Sequence, residues 1–536
     1  MLELNSESIQ SNAGAWGDIH VTLPAFDRST VSAATMSHPV WVHFGSGNIF
    51  RGFIAVLQQR LLNEGFAKKG IIAAETFDSD IIEQIYRPFD DLTMMVTLNP
   101  DGTMDREVIG SVCESLKADG PNSEGRNRLR QIFREPGLQI ASFTITEKGY
   151  ALYDLDGELL PVVREDIEAG PSGARHTMSI AAALLYGRYQ AGGYPMAMVS
   201  MDNCSHNGDK LRDGILTIAT AWRDNKFVED EFLAYLQNED KIYFPWSMID
   251  KITPRPHKTV ESSLKRDGIK NMTPIVTSRS TFIAPFVNTE RTQYLVIEDR
   301  FPNGRPALEK AGVFMTTRDI VDKAEKMKVN TCLNPLHTAM SVYGCLLGYT
   351  LVCDIMRDSD IVSLIRRLGY VEGLPVVVDP GILSPEKFLD EVMEQRLPNP
   401  SIPDTPQRIT TDTSQVMSIR FGETIKSYIA QGRDPNTLIS IPLTIAGWLR
   451  YLLAVDDAGK PMEVSSDPLK DELQMQLAGI ELGKPDSYHG QIRPILANVG
   501  IFGLDLSRTP LLDTIETMFV EELTGPGAVR ATLKKY

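Results

Sequence analysis

At 536 residues the chain is too long for one ordinary hydrophobic core, and its length predicts two or three domains. Hydrophobic residues make up 42% of the chain and charged residues 23%, which is typical of a soluble globular protein. The net charge of −16 argues against a nucleic-acid-binding protein and against a purely electrostatic attachment to a membrane.

Cysteine usage and hydropathy narrow the class further. The five cysteines show no CxxC spacing, so neither a disulfide framework nor a structural zinc site is predicted. The N-terminal segment has neither the basic nor the apolar region of a secretory signal. No apolar run reaches the length of about 20 residues that a bilayer-spanning helix needs. We therefore expect a cytoplasmic protein with no metal site.

The first 35 residues are polar and predict a lead-in with little structure of its own. An apolar run at 40–44 then predicts a strand, and a glycine turn at 45–52 joins it to a helical pattern. A dinucleotide-binding fold requires this order of strand, glycine turn and helix, because glycines let the backbone approach a pyrophosphate at the helix N-terminus. The same pattern also fits a tight strand–helix turn that binds no ligand.

The turn and the next predicted strand, 71–74, supply the candidate cofactor contacts. The strand is followed by Glu75 and then by Asp78, and either carboxylate could accept hydrogen bonds from the adenosine ribose. A carboxylate there disfavours the 2′-phosphate of NADP, so we expect NAD as the cofactor. The residues predicted to contact it are Gly45, Ser46, Gly47, Asn48, Ile49, Phe50, Arg51, Glu75 and Asp78.

Further apolar runs near 95, at 138–146 and at 194–201 predict strands, and helical patterns separate several of them. Strands that alternate with helices predict a largely parallel, doubly wound sheet. We expect the last strand of this region at 274–277 or at 281–287.

After about residue 299, long periodic stretches dominate and strand-like runs are scarce. The predicted fold is therefore an α/β Rossmann-type N-terminal domain with a mostly α-helical C-terminal domain. We place the dinucleotide-binding domain at 1–292 and the helical substrate and catalytic domain at 293–536.

Polar clusters follow several predicted strands, where ligands of open α/β sheets bind. In the cluster at 144–150, Thr146 and Lys148 could line the nicotinamide end of a crevice; the alternative is a solvated loop. In the cluster at 200–208, Asp202, Asn203, His206 and Asn207 could orient hydroxyl groups, although such residues are equally common in turns and helix caps. Asp250 places a carboxylate beside an apolar patch and is a further candidate for the site. The alternative is that it forms a structural salt bridge.

The segment at 328–337, KVNTCLNPLH, places Lys328, Asn334 and His337 close together. A lysine base with amides that hold a developing alkoxide suits metal-free oxidation of an alcohol or reduction of a ketone. Pro335 predicts that a helix begins at about Asn334. Asn334 could therefore be a helix cap, and His337 a buried core histidine.

In this order, the clusters resemble the polyol-specific long-chain dehydrogenases, the mannitol dehydrogenase family. The resemblance extends from about Val42 to Leu506. Its most specific parts are GSGNIFRGF (45–53), TITEKGY (144–150), SMDNCSHNG (200–208), MIDKITP (248–254), YLVIEDRFPNGRPALEKAGV (294–313) and LNPLH (333–337). The resemblance implies a Rossmann-type domain, a helical domain, an active site between them and no metal. It also implies a polyol or sugar-acid substrate, no nucleic-acid or membrane partner, and a monomer or weak homo-oligomer.

The resemblance implies specific roles for the site residues. Lys328 is similar to the general base that takes the hydroxyl proton, and Asn203 and Asn334 to the amides that bind the alkoxide oxygen. Asp250 and His337 are implied to position the substrate and to tune the lysine. Two residues are expected to bind substrate, Arg408 at its far end and Asn207.

Two departures from the family pattern bear on these roles. Five residues separate Lys328 from Asn334, where the family usually has four, and one extra residue in an uninterrupted helix rotates the lysine by about 100°. A helix that begins near Pro335, or a bulge, could absorb the extra residue; Lys326 is the alternative base. Val416 stands where many members have a lysine, and Thr413 replaces a glycine.

The leading hypothesis is an NAD-dependent oxidoreductase that moves a hydride between nicotinamide and a secondary alcohol or ketone. Its substrate pair is of the mannitol/fructose or mannonate/fructuronate type. One alternative is a sugar-alcohol phosphate dehydrogenase, because the glycine turn resembles the GAGNIGRGF turn of mannitol-1-phosphate dehydrogenases. A further alternative is a catalytically idle nucleotide-binding protein, which the shifted lysine and Val416 would fit.

Overall fold

The computed structural model describes residues 1–154 and 156–536. The chain divides into two compact units, of which the first contains Met1–Asn99 and Thr103–Asp322. The second contains Pro100–Gly102 and Lys323–Tyr536. The domain boundary that the sequence places after residue 292 stays a prediction. The strands of the first unit continue beyond it, to Thr316.

All strands of the described residues lie in the first unit. In chain order they are β1 (Val21–Thr22), β2 (Trp41–Phe44), β3 (Ile71–Glu75), β4 (Thr93–Leu98), β5 (Met104–Ile109), β6 (Val112–Lys117), β7 (Ile140–Phe143), β8 (Met196–Ser200), β9 (Ile242–Tyr243), β10 (Ser247–Asp250), β11 (Ile275–Val276), β12 (Phe282–Ile283), β13 (Phe286–Glu290), β14 (Tyr294–Glu298) and β15 (Phe314–Thr316).

The central layer is a parallel six-stranded sheet with the order β6-β3-β2-β7-β8-β9. Every residue of β2, β3, β7 and β8 is buried. Continuous apolar runs of this kind are typical of parallel strands that are covered on both faces. Val42 of β2 pairs with Ile72 on one side and with Ala141 on the other. The predicted Rossmann-type sheet is confirmed.

Three smaller sheets show that not every predicted strand belongs to the parallel sheet. The strand near residue 95 is β4, which lies in a mixed sheet of order β1-β5-β4-β13, because β4 pairs antiparallel with β5. A three-stranded sheet has the order β10-β14-β15, and β11 pairs with β12. The prediction that the last strand lies at 274–277 or 281–287 is wrong, since β14 and β15 follow.

The helices of the first unit cover the sheet and also organise the N-terminus. They are α1 (Ser6–Ser11), α2 (Ala13–Asp18), α3 (Arg28–Ser37), α4 (Ala55–Asn63), α5 (Glu124–Arg134), α6 (Pro161–Ala169), α7 (Thr177–Gln190), α8 (Asn207–Asp224), α9 (Asp230–Gln237) and α10 (Lys258–Arg266). The expectation that the first 35 residues have little structure was wrong. Trp16 is fully buried and packs in one cluster with Leu4 and Val21.

The second unit is helical, as predicted. Helix α11 (Arg318–Lys326) leads into it, and its helices are α12 (Asn334–Leu346), α13 (Val352–Ile355), α14 (Ser359–Arg366), α15 (Pro385–Glu391), α16 (Pro406–Ile409), α17 (Glu423–Ala430), α18 (Ser440–Tyr451), α19 (Lys470–Gln476), α20 (Arg493–Leu496), α21 (Val499–Phe502), α22 (Leu511–Glu522) and α23 (Ala528–Lys535). Helix α12 packs against α14, α16 and α18, and α18 packs against α22.

Several helices contain π-helical turns, in which hydrogen bonds connect residues five apart. Two of them lie in the second unit at Met327–Cys332, which contains Lys328, and at Ser418–Gly422, which contains Arg420. These two segments pack against each other in the second unit, and both contact α12. The side chains that they position are described below.

Candidate active site

The glycine turn after β2 lies at the carboxyl edge of the parallel sheet. Gly45 donates its N–H to Ala74 O at 3.0 Å and has a φ of 98°. A Cβ at Gly45 would stand 2.1 Å from Thr144 O, so no other residue fits this conformation and this close approach. Thr144 in turn donates its hydroxyl to Gly45 O. The turn and the loop after β7 are therefore in direct contact.

The turn has the features that a dinucleotide requires. A Cβ at Gly47 would meet no atom within 4 Å, so the space beside this backbone is open. Gly47 O accepts the N–H of Arg51 at 3.2 Å, which starts the helix that runs through Phe50–Ile54 into α4. Open space next to glycine backbone at a helix start fits a pyrophosphate.

The side chains in the first helical turn serve the fold. Arg51 is buried and donates to Ala284 O and to Asn48 Oδ1, both at 2.8 Å, and burial lowers its pKa to about 10. The buried Phe50 ring stacks on His43. Ile49 is partly exposed, as is Asn48. A contact between the cofactor and Phe50 or Arg51 would therefore have to come from their backbone, and these contacts stay predictions.

The carboxylate of Glu75 accepts hydrogen bonds from backbone N–H groups of the glycine turn and of its own loop. It accepts the N–H groups of Ser46, Phe77 and Asp78 at 3.0 to 3.2 Å. Burial raises the pKa of Glu75, and the three N–H donors oppose this shift. Its role at the ribose stays a prediction.

Asp78 is buried, and one of its carboxylate oxygens accepts the hydroxyls of Thr277 and Thr281. The other oxygen, Oδ1, has no hydrogen-bond partner among the described residues. The role of Asp78 at the ribose, like that of Glu75, stays a prediction.

Asp202 connects the two polar loops that follow β7 and β8. Its carboxylate accepts the N–H groups of Ile145 and Thr146, at 2.8 and 3.0 Å, and the Tyr150 hydroxyl at 2.7 Å. Burial raises its pKa, and these donors oppose the shift. Sequence reasoning placed Asp202 among the residues that could orient hydroxyl groups but did not predict this linking role, because an aspartate after a strand is also common in turns. Its place at the carboxyl end of a predicted strand was the available signal.

Thr146 and Lys148 lie in the loop that Asp202 holds. Thr146 is exposed and adopts a φ of 62°. A β-branched residue is strained there, so the loop conformation depends on its hydrogen bonds to Asp202. Lys148 is exposed in the 3₁₀-helix Glu147–Tyr150. Their loop follows Thr144, which contacts the glycine turn, and their own contacts with a cofactor stay predictions.

The two asparagines after β8 have different surroundings. Asn203 is exposed in the bend after the strand. Asn207 is fully buried; its amide nitrogen contacts Ser200 O, Asp202 O and Ser247 Oγ, and its oxygen accepts the N–H of Ser247. Asn207 therefore holds the end of β8 to β10, and substrate binding by its side chain stays a prediction.

Asp250 is the last residue of β10 and is buried. It lies opposite Tyr294 in the antiparallel pairing with β14. Its role in positioning substrate stays a prediction.

Lys328 lies in the π-helix Met327–Cys332 and is buried, with 2% of its surface exposed. The N–H of Leu333 donates to Lys328 O at 3.0 Å across five residues. A π-turn accommodates one residue more than an α-turn, so it absorbs the extra residue between Lys328 and Asn334. The sequence-based expectation of a bulge here is confirmed.

Asn334 and His337 lie on the first turn of α12, which begins at Asn334 as predicted. Both side chains are partly exposed. The pKa of His337 is lowered to about 4, chiefly by burial and further by the arginines 396, 420 and 408, while Asp404 opposes the shift. His337 is therefore neutral near pH 7, and its ring nitrogens can accept as well as donate hydrogen bonds.

Arg408, on α16, is exposed and paired with Asp404 through two hydrogen bonds of 2.7 and 2.6 Å. The bonds to Asp404 raise its pKa. A bidentate pair holds the guanidinium rigidly but also neutralises much of its charge. The predicted contact of Arg408 with the far end of the substrate stays a prediction.

Within each unit, the structure groups the predicted residues. The first unit gathers the glycine turn, Thr146 and Asn203 at one sheet edge, and the second places Lys328, Asn334 and His337 on two consecutive segments, the π-helix Met327–Cys332 and α12. Among the described residues, no group of three or more His, Cys, Asp or Glu side chains is arranged to hold a metal ion. No helix in the described part of the chain combines the length and apolar character of a membrane span.

Comparison with known proteins places this geometry in a family. A family model described as the mannitol dehydrogenase Rossmann domain matches residues 40–310, and one described as the mannitol dehydrogenase C-terminal domain matches residues 320–523. A D-mannonate oxidoreductase of Thermotoga maritima is 49% identical over 537 residues, which cover 100% of this chain and 99% of that protein.

More distant relatives also match over the whole length. A mannitol 2-dehydrogenase of Neosartorya fischeri is 28% identical, and the match covers 100% of this chain and 99% of that protein. The solved structure of Pseudomonas fluorescens mannitol 2-dehydrogenase, a ternary complex with NAD and D-mannitol, is 26% identical with a TM-score of 0.71, and covers 100% and 99% of the two chains. The chain therefore belongs to the mannitol dehydrogenase family of oxidoreductases.

Proposed function

We propose that the protein is an NAD-dependent D-mannonate oxidoreductase that interconverts D-mannonate and D-fructuronate. The observation that carries this proposal is the 49% identity, over the whole chain, to the D-mannonate oxidoreductase of Thermotoga maritima. The mannitol 2-dehydrogenases are less similar, at 28% for the Neosartorya fischeri protein. The polyol mannitol is therefore the second candidate substrate.

We assign dinucleotide binding to the N-terminal domain. The glycine turn would hold the pyrophosphate through Ser46, Gly47 and Asn48, and Asp78 would accept a ribose hydroxyl. Thr146 and Lys148 would line the nicotinamide end. NAD, when bound, supplies the hydride acceptor for oxidation and, in its reduced form, the hydride donor for the reverse reaction. The carboxylates near the ribose support NAD over NADP, because a 2′-phosphate would meet like charge.

We assign the proton transfer to Lys328. Lys328 is buried, and its neutral amine would accept the hydroxyl proton as the carbon loses its hydride. In the reverse direction the ammonium returns that proton to the alkoxide oxygen. The side-chain amides of Asn334 and Asn203 would donate hydrogen bonds to this oxygen while it carries negative charge, which stabilises the transition state more than the bound substrate.

Asp250 and His337 would position the substrate. A neutral imidazole can accept a hydrogen bond from one substrate hydroxyl and donate to another, which an imidazolium cannot do. The low pKa of His337, about 4, supports this role throughout the neutral and alkaline range. We further propose that the protein works as a monomer or weak homo-oligomer, which sedimentation at several concentrations would test.

A panel of substrates and cofactors tests the function. Purified protein is assayed at mildly alkaline pH with D-mannonate, D-altronate, D-mannitol, D-arabinitol and a mannitol phosphate. Each substrate is tested with NAD and with NADP, and the formation of NADH or NADPH is followed. We expect the highest kcat/KM with D-mannonate and NAD. A clear preference for mannitol would replace the proposed substrate with the second candidate. A preference for the phosphate would establish the phosphate-specific alternative, and inactivity throughout would refute an enzyme of this class.

A further inference from the structure

Arg420 is a largely buried cation without an acidic partner. It lies in the π-helix Ser418–Gly422, and its Nη1 donates to the Thr338 hydroxyl at 2.5 Å. Its other guanidinium N–H groups have no hydrogen-bond partner among the described residues. Burial lowers its pKa to about 10, and no carboxylate opposes this shift. Arg408, by contrast, is neutralised by Asp404.

The charge of Arg420 lies close to His337. Thr338, which holds Arg420, is fully buried and directly follows His337 on α12. Arg420 is one of three arginines that lower the pKa of His337, and Asp404 alone raises it. Asp404 is already engaged by Arg408, and no carboxylate acts on the pKa of Arg420, whose charge therefore lies unneutralised beside a predicted catalytic residue.

An unneutralised buried charge lowers the stability of the folded protein. Binding of a ligand of opposite charge therefore stabilises a protein that keeps such a charge. Arg420 remains partly exposed, so an anion can reach its free N–H groups. The planar guanidinium matches a carboxylate, whose two oxygens can accept two parallel hydrogen bonds. Val416, one turn earlier in the chain, is uncharged and offers no competing cation.

We propose that Arg420 binds the carboxylate of the sugar-acid substrate and thereby makes the site select aldonates over neutral polyols. The carboxylate stands at the end of the substrate away from the carbon that becomes the ketone. Arg420 is thus a specificity-determining residue that acts on the anionic end, while Lys328 acts on the reacting hydroxyl. The inference rests on the proposed function, because it requires an anionic substrate.

Kinetics of Arg420→Gln with matched substrates test the inference. D-mannonate is compared with D-mannonamide, which has the same hydroxyl groups and a neutral end, and with D-mannitol. We expect Arg420→Gln to lower kcat/KM for mannonate about 100-fold, because a desolvated charge pair is lost. The amide and mannitol should change by less than about threefold, since a neutral end makes no charge pair. Arg420→Lys should retain part of the mannonate activity.

Two further variants separate recognition from structure. Arg433→Gln removes an exposed arginine of the same unit and should leave all three substrates unaffected. Thr338→Val removes the bond that holds the guanidinium but keeps the charge, so it should affect mannonate less than Arg420→Gln does. Equal losses on all three substrates in Arg420→Gln, or unchanged mannonate kinetics, would overturn the inference.

Binding measurements separate this inference from the proposed function. Calorimetric titration of D-mannonate into the NADH-saturated wild type and Arg420→Gln reports recognition without turnover. If the wild type does not oxidise mannonate but binds it in an Arg420-dependent way, the proposed function fails and the carboxylate contact stands. If both proteins bind it equally, the carboxylate contact fails whatever the activity. Tighter binding of a mannitol phosphate than of mannonate would reassign Arg420 to a phosphate.

Discussion

At the scale of single residues, the proposed reaction depends most directly on Lys328. Lys328→Ala should lower kcat for mannonate oxidation by about 10³-fold, the typical effect of losing a positioned base. NADH binding, measured by fluorescence titration, should be unchanged, because the glycine turn is in the other unit. The exposed neighbour Lys326 provides the control, since Lys326→Ala should keep activity. The opposite pattern in the two variants would make Lys326 the base.

Asn207 should contribute stability rather than substrate affinity. Its buried amide joins the backbone after β8 to Ser247 of β10. Asn207→Ala would leave several buried polar groups unpaired, at a cost of about 1–3 kcal/mol each, so the midpoint of thermal unfolding (Tm) should fall clearly. The KM for mannonate, measured well below that temperature, should stay within about twofold. A raised KM with an unchanged Tm would instead support a direct substrate contact.

The sequence predicted where the polar side chains lie but not which partners they take. Glu75 was predicted from the strand–turn–helix pattern, and it does end β3. The direction of its carboxylate depends on three N–H groups of the folded loop, which periodicity cannot reveal. The contacts of Asp202 were not predicted for the same reason, because they join it to a distant loop. Arg420 can likewise be recognised as a candidate for binding an anion only when the structure shows that no carboxylate of the described residues pairs with it.

At the scale of elements, the π-helix Met327–Cys332 reconciles the spacing of this chain with the family pattern. Sequence alone raised the conflict, since five residues rather than four separate Lys328 from Asn334. It offered a bulge as one solution, but no residue type marks a π-turn reliably. In the structure Leu333 bonds to Lys328 across the π-turn, as it would across four residues in an α-helix.

Deleting Asn330 tests whether the π-turn only absorbs an insertion. The deletion restores the usual family spacing, and the bond from Leu333 N–H to Lys328 O can then close an ordinary α-turn. We expect the variant to keep measurable mannonate activity, within about tenfold of the wild type, because the orientation of Lys328 relative to α12 is retained. Inserting an alanine at the same position is the control and should abolish activity. Loss of activity in the deletion variant to the level of Lys328→Ala would show that the π-turn itself is required.

At the scale of the whole molecule, the spacing of hydrophobic residues changes along the chain, and this change predicted a sheet-based part followed by a helical part. Parallel strands buried on both faces and amphipathic helices have different periods, so the sheet-based and helical parts were recognisable. The N-terminal helices were not, because their stability depends on burying Trp16 against Leu4 and Val21 from elsewhere in the fold. Strands β14 and β15 were missed in a region where helical periods had been expected to begin.

The core of the helical unit contains a titratable contact that should make stability depend on pH. Glu522 of α22 is fully buried, and its Oε1 lies 2.8 Å from the hydroxyl oxygen of Tyr343 of α12. Its Oε2 has no hydrogen-bond partner among the described residues. The Tyr343 hydroxyl is also 2.7 Å from Leu443 O. Since tyrosine has one hydroxyl proton, both contacts are satisfied when Tyr343 donates to Leu443 and a protonated Glu522 donates to Tyr343. Burial accordingly raises the pKa of Glu522 to about 8.

This raised pKa stabilises the fold at low pH and not at high pH. Below the ordinary value of 4.5, the folded and unfolded chains both carry the proton, and the stabilising contribution is complete. As pH rises from 4.5 to about 8, the unfolded chain releases the proton and the folded chain keeps it, so the contribution declines and is lost above about 8. Wild-type Tm should therefore fall relative to that of Glu522→Gln over this range, because the amide does not titrate. Glu521→Gln, which changes the partly exposed neighbour, should follow the wild-type curve. Parallel curves for the wild type and Glu522→Gln would show that this carboxyl is not protonated in the fold.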